Sequence, residues 1–288
     1  MLKENKWMSS WKVCKGSLAK WKNDPRIWCI LALVVIFEWV RLEPVHKACE
    51  LLGVGVSCWY FPFLMEGDIH RLFYLLGVLI LFCNAPFIDN QQIFVILRVG
   101  RQNWFRGKIM YIILSALFYF GTMYTICIIE LIPNVGFSME WEMVIEALSM
   151  DSDLNKMTGA PILSRLMVMH FSPLQATITT YVICVLVAIL IGFIIFYINL
   201  LGNNNLGIGV ALFMVLWSMF IEGLPNEAYG QMIYLSPASW TDISFFLKDV
   251  EGVPFWYALL FLIIADTVLA VLIMIKAKSY NMEVMEEV

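Results

Sequence analysis

Long apolar runs alternate with short charged connections along this chain, and the lengths of those runs decide the fold class. A bilayer's hydrocarbon core asks for about 20 apolar residues per helix. Six runs come near that length: Ile27–Val40, Leu72–Phe87, Ile109–Ile132, Thr177–Leu201, Leu206–Ile221 and Phe255–Ile275. They predict an all-α polytopic membrane protein with six transmembrane helices. The first and fifth runs are short, so flanking residues must snorkel or the bilayer must thin around them. A seventh stretch, LLGVGVSCWYFPFLM (51–65), competes for a span. Its two glycines, its proline and its 15-residue length point instead to a half-inserted or surface segment. Before the last run, LSPASWTDISFF (235–246) is apolar but broken by Pro237, which predicts short helices dipping into the outer leaflet.

The N-terminal segment follows a different pattern. Trp7, Trp11, Cys14, Leu18 and Trp21 are spaced by 4, 3, 4 and 3 residues, which gathers them on one arc of a helical wheel. The remaining faces are largely lysine and serine. An aromatic stripe backed by lysines suits a cytoplasmic amphipathic helix lying in the headgroup layer, over residues 1–26. The same stripe could instead pack on protein. Asp24-Pro25 supplies a cap and a first-turn proline for the next helix. With no small-residue cleavage pattern after it, the first apolar run reads as a retained anchor.

Charge then sets the topology. With the N-terminus inside, the inner segments hold thirteen cations: seven before residue 27, Arg98, Arg101, Arg106 and Lys108, then Lys276 and Lys278. The outer segments hold six: Arg41, Lys47, Arg71, Lys156, Arg165 and Lys248. That bias obeys the positive-inside rule, whereas a seventh span at 51–65 would throw the 98–108 cluster outside. The chain therefore divides into the interfacial helix 1–26, a six-span domain 27–276 and a cytoplasmic tail 277–288. Residues 133–176 are acidic by contrast, with Glu140, Glu142, Glu146, Asp151 and Asp153, and Trp141, Ile145 and Leu148 at helical spacing.

Composition removes other classes. The chain is 61% hydrophobic and only 15% charged, against roughly 45–50% and about 25% in soluble domains, and its connections leave no room for a soluble catalytic domain. It has no G-x-x-x-x-G-K-[ST] phosphate loop, no H-E-x-x-H and no G-x-S-x-G, so no ATPase or hydrolase motif stands on it. Its three histidines are scattered, and its seven cysteines have no metal spacing. The compartment permits a disulfide between Cys49 and Cys58 without calling for one.

Two sets of residues remain as candidates. The first is LRVGRQNWFRGK (97–108), four cations wrapped around Trp104 in the one substantial inner loop. On a single helix over 91–108, Arg98, Arg101 and Lys108 share a side with Phe105. Gly100 and Gly107 would let another backbone come close. Anchoring the loop to anionic lipid explains the charge alone; a docking surface for a cytosolic partner also explains the tryptophan, the glycines and the register. The second set is the intramembrane carboxylates. Asp266 lies midway along the sixth run, about 15 Å from its inner end, and Glu38 lies toward the outer end of the first. Such groups are either a transport pathway or hydrogen-bonded neutral side chains, with Thr267 next to Asp266.

The segment APFIDNQQIFVILRVGRQNWFRGKIMYIILS resembles the inner loop and third-span entry of bacterial ABC transporter permeases of the type-2 export class. The shared pattern is arginine-glycine-basic-x-x-Trp, here Arg98, Gly100, Arg101 and Trp104, after an Ala-Pro-Phe turn at Ala85, Pro86 and Phe87. The match in motif covers about thirty residues; in architecture it extends to an N-terminal elbow helix, six spans and short outer helices. The resemblance implies a multi-pass protein of the bacterial cytoplasmic membrane with both termini cytoplasmic. It further implies a homo- or heterodimeric permease surrounded by lipid, with no nucleic-acid partner. Two separate ATPase subunits would hold the ATP and Mg, coupled through Arg98, Gly100, Arg101, Trp104, Arg106 and Lys108, with no cofactor on this chain. The residues by themselves also leave open an ion- or proton-coupled secondary transporter using Asp266, or a membrane sensor or scaffold.

Overall fold

The computed structural model describes residues 6–87, 92–150, 152–202, 206–247 and 252–279. The predicted tail beyond 279 and residues 88–91 of the basic loop lie outside that set. The fold is all-α, apart from one two-residue parallel bridge.

Helix α1, Lys6–Ala19, closes in a 3-10 turn over Lys20–Asn23. Asp24 then caps α2, Pro25–Leu52: its carboxylate accepts from the Arg26 backbone N–H at 3.0 Å, with Pro25 in the first turn. The run predicted to stop at Val40 thus continues to Leu52, where Gly53 ends it at φ +67°. The reason is periodicity. Leu42, Val45, Ala48 and Cys49 are buried at helical spacing, so an amphipathic stripe takes over where uniform apolarity ends. Arg41 and Lys47, expected in a loop, are therefore helical.

The competing segment 51–65 is not a span. Strand β1, Val56–Ser57, pairs in parallel with β2, Val135–Gly136. Helix α3, Phe61–Leu64, is a single turn whose residues are all buried, packed against the central helix described below. Then come α4, Asp68–Phe82, α5, Gln92–Val99, and the long α6, Arg101–Glu130. Three short helices follow: α7, Met143–Met150, α8, Ser152–Thr158, and α9, Arg165–His170. The Asn155 amide of α8 ties α7 to the connection before α9, donating to the Leu148 and Pro161 carbonyls at 3.2 and 2.8 Å.

Ser172 caps α10, Pro173–Asn199, with its hydroxyl accepting from Gln175 N–H at 3.4 Å. After it come α11, Leu206–Glu222, α12, Asn226–Met232, and α13, Phe255–Ser279. The 235–246 segment forms short 3-10 helices, Ser239–Thr241 and Ile243–Phe246, around the fully buried Trp240, whose indole N–H donates to the Ile233 carbonyl at 2.9 Å. The centre of the core is α10, which packs on α4, α6, α11 and α13. Its apolar stretch is 67% buried, against 39% for α6 and 22% for α13.

Among the described residues, α6, α10 and α13 are long and apolar enough to cross a membrane, and Leu206–Ile221 is a shorter apolar helix. The molecule is thus compatible with embedding in a membrane. The other two predicted runs differ from this set for visible reasons. Helix α2 is long enough but carries Glu38, Arg41 and Glu43 within six residues, and α4 has only 15 residues. Cys49 and Cys58 are both free thiols.

Candidate functional site

The basic segment is not one helix. Gly100 sits at φ +80°, a conformation that side chains with a Cβ rarely adopt, and it separates α5 from α6. The expected common face of Arg98, Arg101 and Lys108 is broken accordingly. Arg98, Arg101 and Arg106 are exposed, whereas Lys108 points inward and is 1% exposed.

Lys108 ends in an aromatic cage. Its Nζ lies 5.2 Å from the Trp104 ring centre, 5.5 Å from Phe87 and 6.0 Å from Tyr111, where the ring faces attract a cation. It donates to Ser17 Oγ at 3.1 Å and to the Phe87 carbonyl at 3.4 Å, and the Ser17 hydroxyl donates in turn to the Val13 carbonyl at 3.1 Å. Trp104 is likewise buried, 5.0 Å from Phe105, which stacks on Phe196 of α10. Neither Trp104 nor Lys108 can serve as an exposed contact, which corrects their expected role at a docking surface.

What they hold is α1. At Gly107 an added Cβ would lie 2.6 Å from Val13 Cβ and 2.8 Å from the Ser10 carbonyl oxygen, so the two helices meet where only hydrogen fits. The close backbone approach expected of Gly107 is therefore present, and the neighbour is the chain's own N-terminal helix. Trp21 completes the seam by donating to the Tyr111 hydroxyl at 2.9 Å. The aromatic stripe splits: Cys14 is buried and Leu18 and Trp21 half-buried, while Trp7 and Trp11 stay exposed. The deepest contacts also include Ser9, Ser10 and Ser17, which the wheel had assigned to the polar side. Small residues on one helix against a glycine on the other were the available signal for this packing.

Outside the seam, α5 turns Phe94 and Leu97 outward, 74% and 70% exposed, next to Arg98 and close to Arg101. Exposed apolar side chains on a chain compatible with a membrane meet either lipid or a protein partner.

Two carboxylates stand within the helices. Asp266 lines a groove of about 790 Å³ between α6, α10 and α13. It is 8% exposed, and neither carboxyl oxygen has a hydrogen-bond partner. Thr267 donates to the Ile263 carbonyl of its own helix at 2.7 Å and so does not serve its neighbour. Glu38 is fully buried, also without a partner, within electrostatic reach of Tyr74, Cys127 and Glu130.

A third group escaped the sequence reading. Arg41 bonds to His70 and donates to the Phe63 and Glu66 carbonyls at 3.3 and 3.4 Å. Arg71, buried, pairs with Asp68 at 3.1 Å and lies over the Phe245 ring. Burial, reinforced by the nearby Asp242 carboxyl, pushes Glu66 up to about 8. Only the i, i+3 spacing of Asp68 and Arg71 announced any of this. Among the described residues no cluster of three or more His, Cys, Asp or Glu side chains is placed to hold a metal.

No family model, curated protein or solved structure matches the chain.

Proposed function

We propose that this chain is the transmembrane permease subunit of an ATP-driven exporter in a bacterial cytoplasmic membrane. In this reading α2, α4, α6, α10, α11 and α13 are its six spans, both termini are cytoplasmic, and two permease protomers form a dimer. Separate ATPase subunits carry the ATP and Mg and grip α5 and the first turn of α6.

One observation carries the reading: α5 offers Phe94 and Leu97 to the outside, flanked by Arg98. Helix α5 packs on both α6 and α1, which Gly107 and Lys108 join to each other. An interface core of apolar residues with arginine at its margin is what a protein partner uses. A lipid surface would also accept an outward phenylalanine beside cations, so the partner is distinguished from lipid by co-recovery.

The test is recovery of the tagged chain from membranes together with a partner bearing a phosphate loop. Phe94→Ala with Leu97→Ala is expected to lower ATPase recovery at least tenfold and to leave the thermal midpoint of the permease unchanged, since both side chains are exposed. Equal recovery by the double variant defeats the docking role. A second reading, proton- or ion-coupled transport through Asp266, draws on its unpartnered carboxylate. It requires uptake or efflux by the chain without any ATPase, driven by an imposed ion gradient.

A further inference from the structure

The groove between α6, α10 and α13 presents an unusual combination. Its walls are apolar, with Ile113 from α6, Ile189 and Phe193 from α10, and Val271 and Met274 from α13. Its two cations, Arg106 and Lys278, are exposed and stand at one end, where the positive-inside rule already accounts for them. Its one carboxylate, Asp266, is twelve residues from Lys278, about 18 Å along the helix. That separation puts it beyond the reach of Lys278, and neither of its oxygens bonds to Arg106. With both oxygens buried and unpartnered, Asp266 is the group in this groove that the fold leaves without a counterpart.

We infer that the groove binds a cationic amphiphile: an elongated apolar molecule whose single ammonium group pairs with Asp266 while its hydrocarbon lies along the walls toward the cationic mouth. Charge complementarity selects this occupant. An anionic lipid held by Arg106 and Lys278 would lay its tail against Asp266 and leave that carboxylate as unpaired as before. An inorganic cation would need several oxygen ligands, and the walls around Asp266 offer hydrocarbon. An amine with a hydrocarbon tail satisfies both the carboxylate and the walls. The site does not depend on the permease reading, because it is defined by binding to the isolated chain.

The experiment uses the full chain in nanodiscs of zwitterionic lipid, without ATPase. Dodecylammonium, dodecanol and dodecyl phosphate are titrated, and binding is read from the shift in thermal unfolding. Dodecylammonium is expected to bind at least tenfold more tightly than dodecanol, a difference of about 1.4 kcal/mol, and Asp266→Asn is expected to abolish that preference. Should that variant not fold, Val271→Trp, on the exposed wall of α13, is expected to block the groove and weaken dodecylammonium binding at least fivefold. Equal affinity for amine and alcohol overturns the inference, as does a preference that survives Asp266→Asn, or unchanged binding by Val271→Trp. Tighter binding of dodecyl phosphate, lost in Arg106→Gln with Lys278→Gln, also overturns it and assigns the groove to an anionic headgroup.

Discussion

At position 107 a single hydrogen atom decides how near α1 can lie to α6. Any larger side chain would drive into Val13 and the Ser10 backbone, both part of a helix rather than a loose end. Gly107→Val is therefore expected to cost about 1–3 kcal/mol through overpacking. Protease cleavage within α1 should accelerate in this variant while the rest of the chain resists; unaltered cleavage would show that the seam carries no such constraint. Position 108 teaches a different lesson. A helical wheel sorts lysine with arginine by charge, so Lys108 reads as one more exposed cation beside Arg98 and Arg101. A lysine stem is apolar, however, and its ammonium is at ease among aromatic faces. Which outcome holds depends on Trp104, Phe87, Tyr111 and Ser17 meeting around it, and they come from three separate stretches of chain. The sequence made the close approach at Gly107 legible because it needs only one residue's identity. It concealed the cage because that needs four.

Among the elements, those with one dominant signal were read well. Uniform apolarity located α6, α10 and α13, and Asp24-Pro25 marked the start of α2. The outer part of α2 went unread because a hydropathy average cannot see an amphipathic stripe. The polar group around Arg41, Glu66, Arg71 and Asp242 is equally hidden: each residue reads as an isolated charge until α2, α3, α4 and the 3-10 helices converge. That convergence has a measurable effect. Glu66, in the connection between α3 and α4, keeps its proton up to about 8 because burial and the neighbouring Asp242 oppose its charge, against an ordinary value of 4.5. A group raised in this way contributes stability fully below its unfolded value, and that contribution is lost as the pH climbs through its folded one. The unfolding midpoint is accordingly expected to fall as pH rises from about 5 to about 8. Glu66→Gln, which cannot ionise, should flatten that fall; an equally steep profile in the variant would assign it to other groups.

For the whole molecule, the prediction concerns sidedness. Arg101→Cys, in a background without the exposed Cys29, should escape an impermeant thiol reagent in intact cells and react once the membrane is opened. Lys156→Cys, on α8, should react in intact cells. The reverse pattern would turn the docking surface away from any ATP-consuming partner and remove the permease reading with it. Hydropathy and the bias of charge together predict six spans, and among the described residues three helices are long and apolar enough to cross a membrane. The shortfall is physical: α2 carries Glu38, Arg41 and Glu43 within six residues, while α4 with 15 residues and α11 with 17 are short. The position of α10 adds a mechanical consequence. A rod wedged among four neighbours in a close-packed interior cannot slide without disturbing all of them. Of the three long apolar helices α13 is the least enclosed and α10 the most, so displacing α10 would break more of the bundle's packing than displacing α13.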